Sequence, residues 1–296
     1  MDFLLQPFQY EFFNRAILVS ILVGGTCGLL GVYIVLRGMS YIGHGMSHAV
    51  FGGAISSYII GLNLYVGAAI WGILSALLIT EINKRYKIKA DAAIGVVTTA
   101  GFAIGIFLMS TAQTPVRNFE ALLFGNILSV NDLDLIFIVF VSIVTITFIF
   151  FFQKRLLFTI LDIDTAKVYG IKTNRVDLLF SIVLAIVVIA AMNSIGVTLL
   201  AVAIIAPAIS ARLITNNFLK LMILSAGIGI ITAFLGMYCS FYVDSPSGAT
   251  IVLFGTASFI IAAAYSHIKK SYHMHFHGDN KHSHPHSHIE EHRHEH

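Results

Sequence analysis

Arg37-Gly38-Met39-Ser40-Tyr41-Ile42-Gly43-His44-Gly45-Met46-Ser47-His48-Ala49-Val50-Phe51-Gly52-Gly53 places two histidines four residues apart in a segment flanked by long apolar runs. Residues at i and i+4 share one helix face, close enough for two imidazoles to meet one ion. An ionisable group at membrane depth is costly and marks a functional site by default. The plainer reading is two histidines hydrogen-bonded to neighbouring helices. The glycines at 43, 45, 52, 53 and 61 weaken a regular helix here. Irregular backbone at membrane depth is tolerated where protein or a water-filled cavity surrounds it. The segment is therefore expected to be broken and to line a pathway. Close helix packing could also account for Gly52 and Gly53.

The surrounding chain is that of a polytopic membrane protein. Hydrophobic residues make up 57% and charged residues 11%, against roughly 25% charged in soluble domains. Apolar runs of about 20 residues, long enough to span a bilayer, recur along its length. They fall at 15–36, 43–62, 64–81, 92–112, 134–152, 177–195, 197–215, 220–243 and 247–266. The expected fold is all-α, a transmembrane bundle with either nine spans or eight and a re-entrant piece, the second being broken. Residues 1–11 read as a short interfacial segment against lipid, with no cleavable leader pattern. Cys27 and Cys239 both lie in apolar runs and read as buried thiols. A net charge of +3 gives no case for nucleic acid.

Lys and Arg orient the spans. Lys84, Arg85, Lys87, Lys89, Lys154, Arg155, Lys167, Lys172, Arg175 and Arg212 fall on one side when spans are counted alternately, and Arg15 and Arg117 on the other. That side should be the cytoplasm, which also holds the C-terminus. Residues 1–266 form the membrane domain. Residues 267–296 carry His267, His273, His275, His277, His282, His284, His286, His288, His292, His294 and His296. This tail is expected to be disordered, and such tracts bind metals. It could buffer or sense metal, or be dispensable.

Two nitrogen donors suit zinc, iron, nickel or copper better than calcium or magnesium. They do not close a tetrahedral site, so a symmetric dimer, water, Ser47, Asp91 or Asn193 would have to add donors. Only neutral imidazole ligates, so binding should weaken as pH falls through about 6.5. The long cytoplasmic loop from Gln153 to Asp177 contains Asp162-Ile163-Asp164-Thr165-Ala166-Lys167-Val168-Tyr169-Gly170. Asp164 is expected to cap a short helix there and Gly170 to end it. Such a helix suits docking into a partner's groove, or simply lies on the membrane surface. No GxxxxGK[ST] loop, GxSxG elbow or HExxH is present, so the chain lacks the usual loop for ATP and reads as no enzyme.

Together these stretches resemble the permease subunit of prokaryotic ABC importers for zinc, manganese and iron(II), over residues 8–266. The family pattern Arg-x-Met-Ser-x-x-Gly-Asp-x-x-x-His matches from Arg37, and Asp-x-x-x-Ala-x-x-x-Gly matches Asp162, Ala166 and Gly170. Asp91–Gly95, Gly196–Leu200, Ala206–Arg212 and Pro246–Leu253 also fit. The resemblance implies a permease homodimer, two cytoplasmic ATPases, an extracellular metal-binding protein and a prokaryotic plasma membrane. It assigns metal ligands at His44 and His48, and ATPase coupling to the 162–170 segment. The family's acidic ligand is replaced here by His44. That exchange favours zinc over manganese or iron(II), since manganese gains more from carboxylate oxygen. The ion is cargo; no cofactor is expected to be held permanently. A manganese or iron(II) importer permease is the runner-up, and a proton-coupled metal efflux carrier and a metal-sensing receptor are further alternatives.

Overall fold

A computed structural model describes residues 5–39, 41–86, 90–112, 119–126, 130–271, 274–277 and 280–283. Lys87, Lys89, Arg117, His273 and the tail histidines from His284 onward lie outside them. After a 3-10 turn at Gln6–Gln9 come α1 (Glu11–Leu36), α2 (Tyr41–Ile59), α3 (Leu64–Tyr86), α4 (Ala90–Thr111) and the short α5 (Phe119–Phe124). These are followed by α6 (Asp132–Leu161), the short α7 (Ile163–Val168), α8 (Thr173–Ile195), α9 (Val197–Ile214), α10 (Phe218–Val243) and α11 (Ser247–Ser271). In the tail, β1 (Met274–His277) pairs antiparallel with β2 (Asn280–Ser283). A lone two-stranded hairpin is marginal in water.

Eight helices among the described residues are long and apolar enough to cross a membrane: all the long ones except α2. They expose large apolar side chains such as Val96, Leu133, Phe150 and Phe151, as helices facing lipid must. The 19 residues of α2 make a rod of about 28 Å, close to the ~30 Å hydrocarbon core. It too crosses. Arg37 at the end of α1 pairs with Asp177 at the start of α8, while Tyr65 at the start of α3 bonds Asp134 at the start of α6. Those contacts lie at opposite ends of α6, so α2 runs from one end of the bundle to the other.

The expected break in the second span is absent: α2 is continuous from Tyr41 to Ile59. Its glycines make room for neighbours instead. A Cβ on Gly52 would stand 2.1 Å from the Gly101 carbonyl oxygen of α4, and one on Gly53 2.6 Å from that of Gly67 on α3. Gly45 lies as tightly against Ile94 and Thr98. The helix packs on α3, α4, α8 and α9 and buries most of its length, including Met46, Val50, Phe51 and Ile55. A helix enclosed by protein has no need of an apolar surface, which is why it can carry histidine, serine and glycine.

Two further expectations shift. The helix α6 runs on to Leu161, so the loop foreseen from Gln153 shrinks to the stretch around α7. The last helix continues past 266 to Ser271. Cys27 is fully buried and Cys239 partly so, and both thiols are free.

Candidate metal centre and coupling segment

On α2, His44 and His48 meet through their Nε2 atoms at 2.9 Å. The rings stand edge to face, with centroids 4.3 Å apart. Two imidazoles on one ion at ~2.0–2.1 Å in tetrahedral geometry hold their ligating nitrogens about 3.3 Å apart, so this pair need open by only a few tenths of an ångström. The spacing as it stands fits a shared proton between the two rings, so the pair is set for either. Tyr41 packs on His44 with centroids 5.4 Å apart, and Phe102 of α4 packs on His48 at 4.5 Å. The buried Nδ1 of His48 has no hydrogen-bond partner. Both rings are half-buried; with Tyr41 they form the stripe that neighbours leave open along the first two turns of α2, and Gly52, one turn on, is buried against α4.

The other expected donors do not join them. The Ser47 hydroxyl donates to the Gly43 carbonyl at 2.9 Å, a back-bond that satisfies it within the helix. Asp91 is exposed at the start of α4. The side chain of Asn193 lies outside the described residues. Among the described residues no group of three or more His, Cys, Asp or Glu side chains is gathered that could hold a metal ion. Phe102, which covers His48, escaped the sequence reading. Its signal was the small-residue spacing of Gly101 and Gly105, which marks the α4 face that meets α2.

The second cluster lies between α6 and α8. Asp162 has extended backbone, and its carboxylate accepts from the Asp164 and Thr165 amides at 3.0 Å each. Asp162, not Asp164, is thus the cap of α7. The chain must leave α6 before it can re-enter a helix, and Asp162 is the residue that does so. Asp164 sits in the first turn and pairs with Lys167 at 3.0 Å. At the other end the Gly170 amide donates to Lys167 and the Ile171 amide to the Ala166 carbonyl. Gly170 has φ +76°, the left-handed closure that glycine supplies best. Ala166 is fully buried. The spacing Asp162, Ala166, Gly170 therefore builds one helical turn with a cap, a packed foot and a stop. What that turn presents outward is mixed: Val168 is 86% exposed and Tyr169 76%, beside the exposed charges of Asp164 and Lys167.

Hydrogen bonds from the Thr165 hydroxyl and amide hold the Asp162 carboxyl below its ordinary range. A carboxylate with a lowered folded value contributes stability above its unfolded value, and loses it as pH falls through the folded one. The cap of α7 should therefore be intact at neutral pH and fail only in acid below about pH 4. Asp162→Ala removes it at all pH values. Amide hydrogen exchange over residues 163–170 is expected to speed up severalfold in that variant, with the rest of the bundle unchanged; wild-type protection there would show that the cap is dispensable.

A bundle of membrane-crossing helices enclosing a helix with facing imidazoles has the parts that passage of a metal ion requires. Comparison with known proteins gives the family. The model of the ABC 3 transport family matches residues 9–266. The manganese transport system membrane protein MntC of Listeria monocytogenes is 36% identical over 90% of this chain and 95% of its own. The chelated iron transport system membrane protein YfeC of Yersinia pestis is 34% identical over 88% and 89%. The solved structure of PsaBC from Streptococcus pneumoniae in complex with Fab superposes with a TM-score of 0.77 at 35% identity, covering 87% of this chain and 92% of that one. The chain belongs to the ABC 3 transport family and is a permease subunit of a prokaryotic metal ABC importer, a multi-pass protein of the plasma membrane.

Proposed function

We propose that this permease carries zinc through a pathway between two copies of itself, powered by separate cytoplasmic ATPases. One observation carries the choice of ion: the two converging groups on α2 are both nitrogens, with Nε2 atoms 2.9 Å apart. Neutral nitrogens suit zinc better than they suit manganese, which favours carboxylate oxygen. Two ligands on a half-open stripe leave the site incomplete in one chain. A two-fold axis along that stripe would double the donors to four. An extracellular metal-binding protein would deliver the ion, which the pair holds loosely enough to release. The C-terminus then lies in the cytoplasm, with the cationic ends of α3, α6, α8 and α9.

The α7 turn is the proposed ATPase contact, with Val168 and Tyr169 entering a groove of the partner and Asp162, Asp164, Ala166 and Gly170 holding its shape. Nucleotide binding and hydrolysis move this segment, and the pathway alternates between outward and inward openings.

The names of the relatives support a second reading, in which the ion is manganese or iron(II). Competitive uptake of zinc and manganese by the assembled transporter separates the two. Zinc is expected to win, and His44→Asp, which restores an oxygen ligand, to shift the ratio toward manganese by about tenfold. A wild type that prefers manganese, with a ratio indifferent to His44→Asp, would remove the zinc reading and leave the second.

A further inference from the structure

Arg37 opens the stretch that carries the histidines, yet it lies too far from them to touch metal, and nothing above gives it a task. Its guanidinium pairs with Asp177 in the first turns of α8. It also lies over the ring of Phe180, 5.6 Å from the centroid, and Phe180 packs on Tyr33 of α1 at 6.2 Å. The Arg37 side chain is 10% exposed and that of Asp177 31%. So enclosed, the pair is poorly screened, and loss of either charge strands the other.

What the pair joins is the point. Arg37 caps the end of α1 and leads through Gly38 into α2. Asp177 follows the α7 turn through Gly170. Gly38 has φ +66° and Gly170 φ +76°, and a Cβ on either would meet nothing within 4 Å. The ion pair is thus a fixed joint with a glycine-closed helix end on each side; each closure is held by its own backbone hydrogen bonds, and neither glycine is packed against a neighbour. One glycine leads to the histidines and the other to the proposed ATPase contact. Residues that absorb backbone change without repacking are what hinges are made of.

We propose that Arg37 and Asp177 form the strut that carries displacement of the α7 turn to the root of the histidine helix, so that ATP hydrolysis opens the metal pathway. Arg37 and Asp177 are positioning residues, and the proposal rests on the reading of α7 as the ATPase contact. A strut that only held the fold together would lower hydrolysis and uptake alike. A coupling strut fails differently: hydrolysis continues while uptake stops.

The test measures metal uptake and ATP hydrolysis together, in proteoliposomes holding the full permease and its ATPase, with zinc as the ion. Arg37→Ala and Asp177→Asn are expected to lower the ions moved per ATP by about tenfold, with hydrolysis within twofold of wild type. The double variant Arg37→Asp/Asp177→Arg is expected to recover most of the ratio. Should the single variants fail to assemble, the double variant alone decides, by its ratio. An unchanged ratio in variants that assemble, or a double variant as uncoupled as the singles, would overturn the strut. Uptake by the wild type without ATP would instead overturn the reading of the transporter on which it depends.

Discussion

His48→Ala is expected to abolish tight zinc binding by the chain shortened after Ser271, and to lower uptake by the assembled transporter by about a hundredfold. Equilibrium dialysis checks the first and radioactive zinc the second; shortening removes all the tail histidines but His267, and those removed would otherwise dominate the count. The effect is large because His48 is one of only two nitrogens that converge on α2. One imidazole cannot hold a borderline cation against water and leaves His44 facing a void. The α2 backbone should be unaffected, since alanine is the best helix former and the position is half-buried. His44→Ala should act in the same direction. Zinc binding that survives both changes would place the ligands elsewhere in the bundle.

Gly52→Val is expected to be as damaging by another route. Its Cβ would fall 2.1 Å from the Gly101 carbonyl oxygen and 2.6 Å from that residue's carbonyl carbon. Neither is a flexible side-chain end that can swing aside, so α2 and α4 must separate. Overpacking a dense interior typically costs about 1–3 kcal/mol, and a backbone clash on this scale belongs at the upper end or beyond. Separation also shifts Phe102, next to Gly101, away from the His48 ring it covers. The variant should lose thermal stability in detergent and bind zinc weakly. Gly227→Ala has no comparable clash, since nothing lies within 4 Å of a Cβ there. Equal stability of Gly52→Val and wild type would mean that the two helices are not locked at this contact.

The α7 turn shows how a short spacing can be legible in outline and wrong in detail. A stop at Gly170 follows from the chemistry of glycine alone, and Gly170 does end the helix. The choice of cap between Asp162 and Asp164 does not. Both are good cap residues, two positions apart, and the decision depends on where α6 ends. That end lies beyond the apolar run, because Lys154, Arg155 and Leu156 continue the helix past the membrane-length stretch.

Apolar runs by themselves determined that the chain is a bundle of membrane helices and where most of them lie, because a bilayer demands length and apolarity from every helix that faces it. The four-residue spacing likewise determined that His44 and His48 would share a helix face. The tertiary structure alone decided the state of α2. Its composition of glycine, serine and histidine reads as a broken helix when lipid is assumed to surround it. Enclosed by α3, α4, α8 and α9, the same residues form a continuous rod whose glycines admit the neighbours' backbones. Likewise, no spacing could foretell that Phe102 covers His48 or that Arg37 reaches Asp177, 140 residues away, because both contacts depend on how separate helices pack.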